Sequence, residues 1–237
     1  YAFLGKQPEG RYVSSAKKLS NADPGDVVKF GVDPTGPVGG SLLANLIQNP
    51  SLLERVNQGR EVGYIIIIVG LFGIGVALWK LFTLYNMGKA VKKQAKSKSH
   101  DQNNPLGRVL AVGEEHMGKD IETLELKLAE AIMAERPAIE RGIPVVKIIS
   151  VVAPLAGLLG TVTGMIVTFQ QITLFGTGDP KIMAGGISQA LVTTVLGLVV
   201  AIPTTLLHSF ANSSARGIIN VLEEQSTGIV AEHSDSN

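Results

Sequence analysis

Residues 153–165 read Ala153-Pro-Leu-Ala-Gly-Leu-Leu-Gly-Thr-Val-Thr-Gly-Met165, and residues 186–203 read Gly186-Ile-Ser-Gln-Ala-Leu-Val-Thr-Thr-Val-Leu-Gly-Leu-Val-Val-Ala-Ile-Pro203. Both lie in stretches without Asp, Glu, Lys or Arg, one from Ile148 to Gly178 and one from Ile182 to Ala215. About 20 apolar residues cross a bilayer core as a helix, so each stretch is long enough to span one. A lipid anchor needs no hydroxyls. Threonine, glycine and proline threaded through two such helices point to a lined pore or to a seat for a partner.

A third apolar run, from Val62 to Trp79, is also free of charge. As helices the two later runs would reach about 46 and 51 Å, more than the roughly 30 Å hydrocarbon layer, so both should protrude or tilt. Composition agrees: mean hydropathy is +0.27, and charged residues make up 17% against the roughly 25% of soluble domains. A net charge of +1 offers no bulk attraction for nucleic acid, and the lack of cysteine excludes disulfides, thiolate metal sites and cysteine nucleophiles. The expected fold is an all-α integral membrane protein with three transmembrane helices, two of them long and extending into the cytoplasm.

Lysines set the expected orientation. Lys80, Lys89, Lys92, Lys93, Lys96 and Lys98 follow the first span with no acid among them, whereas Glu54 and Glu61 balance Arg55 and Arg60 before it. This bias places the N-terminus outside and the C-terminus in the cytoplasm. The same lysines should rest against anionic phospholipid headgroups, at about 1 kcal/mol per charge. The chain then divides into an outer segment with short interfacial helices (1–60), span one (61–86), a cytoplasmic helical segment (87–146), span two (147–175), an outer turn (176–181), span three (182–211) and a cytoplasmic helix with its tail (212–237). Residues 1–40, rich in Gly, Pro, Ser and Asp, read as extended or weakly ordered, with a breaker cluster at 33–40. The polar start at Tyr1 is no signal peptide and reads as a fragment or a processed product. Ser41 and Ser51 each suit the cap of a short helix. Over 105–142, apolar residues recur at steps of three and four; Gly113 and Gly118 bracket an expected break, and Pro137 should kink the second helix.

On helices, small and polar residues align. Ala153, Gly157, Thr161, Gly164, Thr168 and Gln171 share one face of span two; Ala190, Thr194, Gly197, Ala201, Thr205 and His208 share one face of span three. Two readings of these faces stay open, a lined path or a tight seam whose threonines bond within the helices. Gln189 cannot titrate, so any proton crossing here needs an ionisable group from a partner. Pro154 and Pro203 remove backbone donors inside the spans, and kinks are their expected role. Catalytic patterns are lacking: Gly176-Thr-Gly-Asp-Pro180 has no P-loop lysine, His208-Ser209 has no supporting acid, and four scattered histidines lack metal-ligand spacing. The chain is expected to be no enzyme and to hold no cofactor or metal.

The two quoted segments, in order on consecutive spans, resemble the proton-channel family of ExbB, TolQ and MotA, with the likeness running from about residue 60 to 230. The details lean toward ExbB of TonB systems, in particular the TtpC-type variant with an enlarged periplasmic part. The resemblance implies a ring, typically a homo-pentamer, in the bacterial inner membrane, with the N-terminus periplasmic. It implies an ExbD-like single-span partner whose aspartate carries the proton, and a TonB-like protein that conveys motion to outer-membrane importers of iron complexes or cobalamin. Pore-lining and partner-binding positions fall on Thr161, Thr194, Gln189, Gly157, Gly164, Gly197, Pro154 and Pro203. The family often has Glu where this chain has Gln189. Alternatives are a TolQ-like subunit of the Tol-Pal envelope system, or a non-conducting scaffold for a partner helix.

Overall fold

A computed structural model describes residues 10–30, 52–97, 101–176 and 180–235. The described elements are all helices: α1 (Gly10–Ser20), α2 (Leu52–Gln58), α3 (Arg60–Gln94), α4 (Pro105–His116), α5 (Ile121–Glu140), α6 (Ile143–Phe175) and α7 (Pro180–Asp235). The chain divides into two compact units after Arg55. In the first, α1 corrects the extended reading of residues 1–40. The glycines and prolines of that region flank residues 11–20 without entering them, which leaves Ala16, Lys17 and Lys18 free to follow their helix preference. The breaker cluster at 33–40 and the caps expected at Ser41 and Ser51 lie outside the described residues.

In the second unit α3, α6 and α7 are each long and apolar enough to cross a membrane. They run for 35, 33 and 56 residues, so α7 is about 84 Å long and must continue far beyond a hydrocarbon layer of about 30 Å. The buried stripe of α3 steps by three and four through Gly63, Ile66, Gly70, Gly73, Ala77 and Lys80, and goes on to Leu84 and Val91. A 3.5-residue repeat keeps one face turned to a partner over the whole length. That partner is mainly α7, at a constant offset. Gln58 meets Ser188, Gly70 meets Val200 and Gly88 meets Ile218, so the two helices run parallel. α6 is antiparallel to both: Gly164 meets Ala190, Gly157 meets Gly197, and Gly73 meets Ile149.

Beyond the apolar section, α4 and α5 pack on the ends of α3 and α7 around Leu84, Leu106, Leu124, Leu128, Ile218 and Leu222. Large aliphatic residues suit this end, where burial from water stabilises by roughly 1.5–3 kcal/mol per side chain. Within lipid that driving force is absent and close approach of small residues takes over, as where Gly157 meets Gly197 and Gly164 meets Ala190. Three local contacts fix the water-side bundle. Asn104 caps α4 by accepting from Gly107 N (2.9 Å), while its Nδ2 donates to Gln94 Oε1 at the end of α3 (3.3 Å). Asp120 caps α5 by accepting from Thr123 N (3.0 Å). Arg108 grips Glu135 with Nε and Nη2, both at 2.7 Å, joining α4 to α5.

Two sequence expectations change here. The break between α4 and α5 contains Gly118 but not Gly113, which sits inside α4 where Ile229 and Leu128 approach it closely. Lys80 does not join the exposed lysines. It is 3% exposed and its Nζ donates to Ala138 O (3.1 Å), one of the last carbonyls of α5. Helix ends leave such carbonyls unpaired and partly negative, so an ammonium satisfies them. Gly142 (φ 87°) makes the tight turn from α5 to α6 in a left-handed conformation that a Cβ disfavours.

Candidate functional site

The small-residue faces of α6 and α7 meet each other. A Cβ on Gly157 would stand 2.9 Å from Thr193 O and 3.1 Å from Thr194 Cα; one on Gly164 would stand 3.1 Å from Ala190 N. On Gly197 it would reach Ala153 O at 2.7 Å and Pro154 Cα at 3.3 Å. Backbone thus lies against backbone along this seam. Two members of it were not singled out from the sequence. Gly160 is among the tightest, since a Cβ there would overlap the Thr193 side chain, and Thr193 is fully buried. The signal was present as the Gly160-x-x-x-Gly164 spacing, a known close-packing pattern in membranes.

Most hydroxyls along the two helices bond to their own helix. Thr161 donates to Leu158 O (2.6 Å), Thr193 to Ala190 O (2.8 Å), Thr168 to Gly164 O (3.0 Å) and Thr205 to Ala201 O (2.7 Å). Thr194 instead points across the seam to Gly157 O at 3.5 Å, the weakest of these bonds. Back-bonding satisfies the donor and leaves each oxygen able to accept. Pro203 lies in the interior of α7 and Pro154 in that of α6, and both helices pass through them.

Gln189 stands apart from the seam. With Asn57, Gln58, Arg60 and Gln171 it lines a cleft of about 230 Å³ at the end where α3 and α7 begin. Ser188 Oγ donates to Gln58 Oε1 (3.2 Å), and Tyr64 Oη donates to Asn57 Oδ1 (2.7 Å). Gln171 Oε1 is buried with no hydrogen-bond partner. Arg60, in a left-handed conformation at φ 47°, forms the corner from α2 to α3 beside it. His208 lies at the other end, in a wider cleft with Lys147, Asn212 and Arg216. Hydrogen-bonding groups therefore line the α6–α7 pair, yet no carboxylate or ammonium lies between Ile182 and Ala215 or between Ile148 and Gly178. Such a pair can hold a polar or protonated group presented to it, and its one titratable side chain in these stretches, His208, lies at the end away from Gln189.

Residues 101–224, more than half of the chain, match the MotA/TolQ/ExbB proton channel family. The chain belongs to this family. The match takes in α4 to α6 and most of α7, a narrower stretch than the likeness read from sequence. Similar curated proteins are of ExbB type. A biopolymer transport protein ExbB homologue of Methanothermobacter thermautotrophicus is 28% identical over 189 residues, 73% of this chain and 67% of the relative. The ExbB-like 1 protein of Synechocystis is 29% identical over 66% of this chain and 69% of its own length. ExbB of Aquifex aeolicus is 48% identical over 58 residues, 24% of this chain and 39% of the relative. Family membership and three spanning helices make this a membrane protein.

Proposed function

We propose that the chain is an ExbB-like subunit of an inner-membrane complex that couples the proton-motive force to TonB-dependent import across the outer membrane. One observation carries this reading. The α6–α7 pair of a proton-channel family member presents threonines and a glutamine but no titrating carboxylate along its spans. Proton transfer through a membrane requires such a carrier. An ExbD-like single-span partner would supply it as an aspartate held against Thr161 and Thr194, inside a homo-pentameric ring. Gln189 would position the partner or a water by hydrogen bonding.

In this reading the N-terminus is periplasmic and the C-terminus cytoplasmic. The chain moves charge and makes or breaks no covalent bond, so it is no enzyme. Proteoliposomes holding the chain with its co-purified single-span partner test it directly. Proton flux should follow an imposed gradient and vanish when the partner's aspartate is replaced by asparagine. Flux that persists without the aspartate would sink the carrier assignment. Absence of flux from the intact complex, with normal partner binding, would favour a non-conducting scaffold.

A further inference from the structure

We propose that the groove between α3 and α7, on the side where they leave the apolar layer, seats an anionic glycerophospholipid. The groove encloses about 700 Å³, inside the range of roughly 300–1,000 Å³ for sites that bury most of a ligand. Leu84 and Val91 of α3 and Ile218 of α7 form its floor, and Leu81 and Val221 its half-buried walls. Glycines keep it open. A Cβ on Gly217 would meet nothing within 4 Å, and one on Gly88 would reach only Ile218 at 3.9–4.0 Å. The parallel register of the helices therefore leaves a slot where large side chains would otherwise close it.

The rim differs from the floor. Lys89 and Lys92 stand on the α3 edge and Ser214 on the α7 edge, and no acidic residue lines the groove. The Lys89 ammonium lies 4.2 Å from the centre of the Tyr85 ring, a cation–π contact that holds it over the opening. Trp79, Phe82 and Tyr85 are all well exposed on α3, as aromatic residues are at a membrane–water interface. Lys89 comes one helical turn, about 6 Å, beyond Tyr85. Leu81 thus lies level with the exposed aromatic residues, Leu84 where the membrane section passes into the water-side cluster, and the lysines at phosphate depth.

With an apolar floor along its length and a cationic α3 rim, the slot matches a lipid with a net negative headgroup. A transmembrane helix would bring no negative charge to the rim unless it carried an acid at that level. Seated there, the lipid would join α3 to α7 where the membrane section passes into the water-side bundle. The inference rests on the three spanning helices and is independent of proton coupling.

Native mass spectrometry of the oligomer tests it. The complex is delipidated in mild detergent, then offered phosphatidylglycerol or phosphatidylcholine at matched concentrations. The wild type should retain phosphatidylglycerol in preference. Lys89→Gln with Lys92→Gln should weaken that retention by about 25-fold, about 5-fold for each lysine. Gly217→Leu, which fills the slot without a clash at its Cβ, should lose both lipids while the oligomer persists. Equal retention of the two lipids by the wild type would overturn the proposal, as would unchanged phosphatidylglycerol binding in the double lysine variant. Loss of the oligomer in Gly217→Leu with lipid retention intact would assign the groove to a second copy of the chain. Should that variant fail to fold, the choice between lipids and the lysine variants still decide.

Discussion

Replacing Gly197 by alanine should destabilise the fold by an amount that can be worked from the seam. A Cβ built there stands 2.7 Å from Ala153 O, 3.2 Å from Gly157 Cα and 3.3 Å from Pro154 Cα. All three are backbone atoms of α6, so no rotamer change relieves the contact. Ordinary contact begins at 3.4 Å, and a close-packed seam would have to open by about 0.7 Å. Such overpacking costs about 1–3 kcal/mol. Exchange of glycine for alanine in a helix returns about 1 kcal/mol, which obscures the cost in a single variant. Gly75→Ala supplies the reference, because Gly75 is an exposed interior position of the spanning helix α3 where a Cβ meets nothing within 4 Å. Both variants share the helix gain, so their difference isolates the seam. Unfolding followed by circular dichroism during SDS titration, at fixed protomer concentration, should place Gly197→Ala about 1–3 kcal/mol below Gly75→Ala. Equal stability of the two would refute the close approach of α6 and α7.

Further outcomes are expected. Thr194→Val should lower import that depends on the proton-motive force while assembly persists; its bond to Gly157 is weak, so stability should fall by no more than about 0.6 kcal/mol, and full uptake in both Thr194→Val and Thr161→Val would leave these hydroxyls with a packing role only. Gln189→Leu should reduce the amount of co-purified partner, and Gln189→Glu should retain it; normal partner binding and uptake in Gln189→Leu would remove Gln189 from the site. A Cβ on Gly107 would overlap the Asp101 carbonyl, so Gly107→Ala should speed amide exchange across 101–110, and unchanged protection there would contradict the packed turn. The backbone N–H and then the hydroxyl of Thr123 hold the Asp120 carboxyl below its usual range. A lowered folded-state value stabilises above a pH of about 4 and is lost as pH falls further, so protection of the first turn of α5 should drop in acid, and Asp120→Asn should flatten that dependence.

The spans were legible in the sequence because a bilayer demands long runs without charge, and that requirement is local. The small faces of α6 and α7 were legible for a similar reason, since helical spacing places Gly157, Gly164 and Gly197 on definite sides of their helices. Periodicity gives a face and not its partner. Only tertiary structure set α3 parallel to α7 in constant register, buried Thr193 rather than Thr194 in the seam, and turned Lys80 inward to Ala138. It also drew Gln189, Gln171 and Arg60 from separate helices into one cleft. These outcomes depend on which backbones approach most closely, and that is settled by contacts between residues tens to more than a hundred positions apart. In α1 the error ran the other way: composition averaged over forty residues hid a local stretch free of glycine and proline. Lipid rewards length and close approach, water rewards buried aliphatic volume, and a chain that crosses from one solvent to the other fixes its pairings only where both demands are met together.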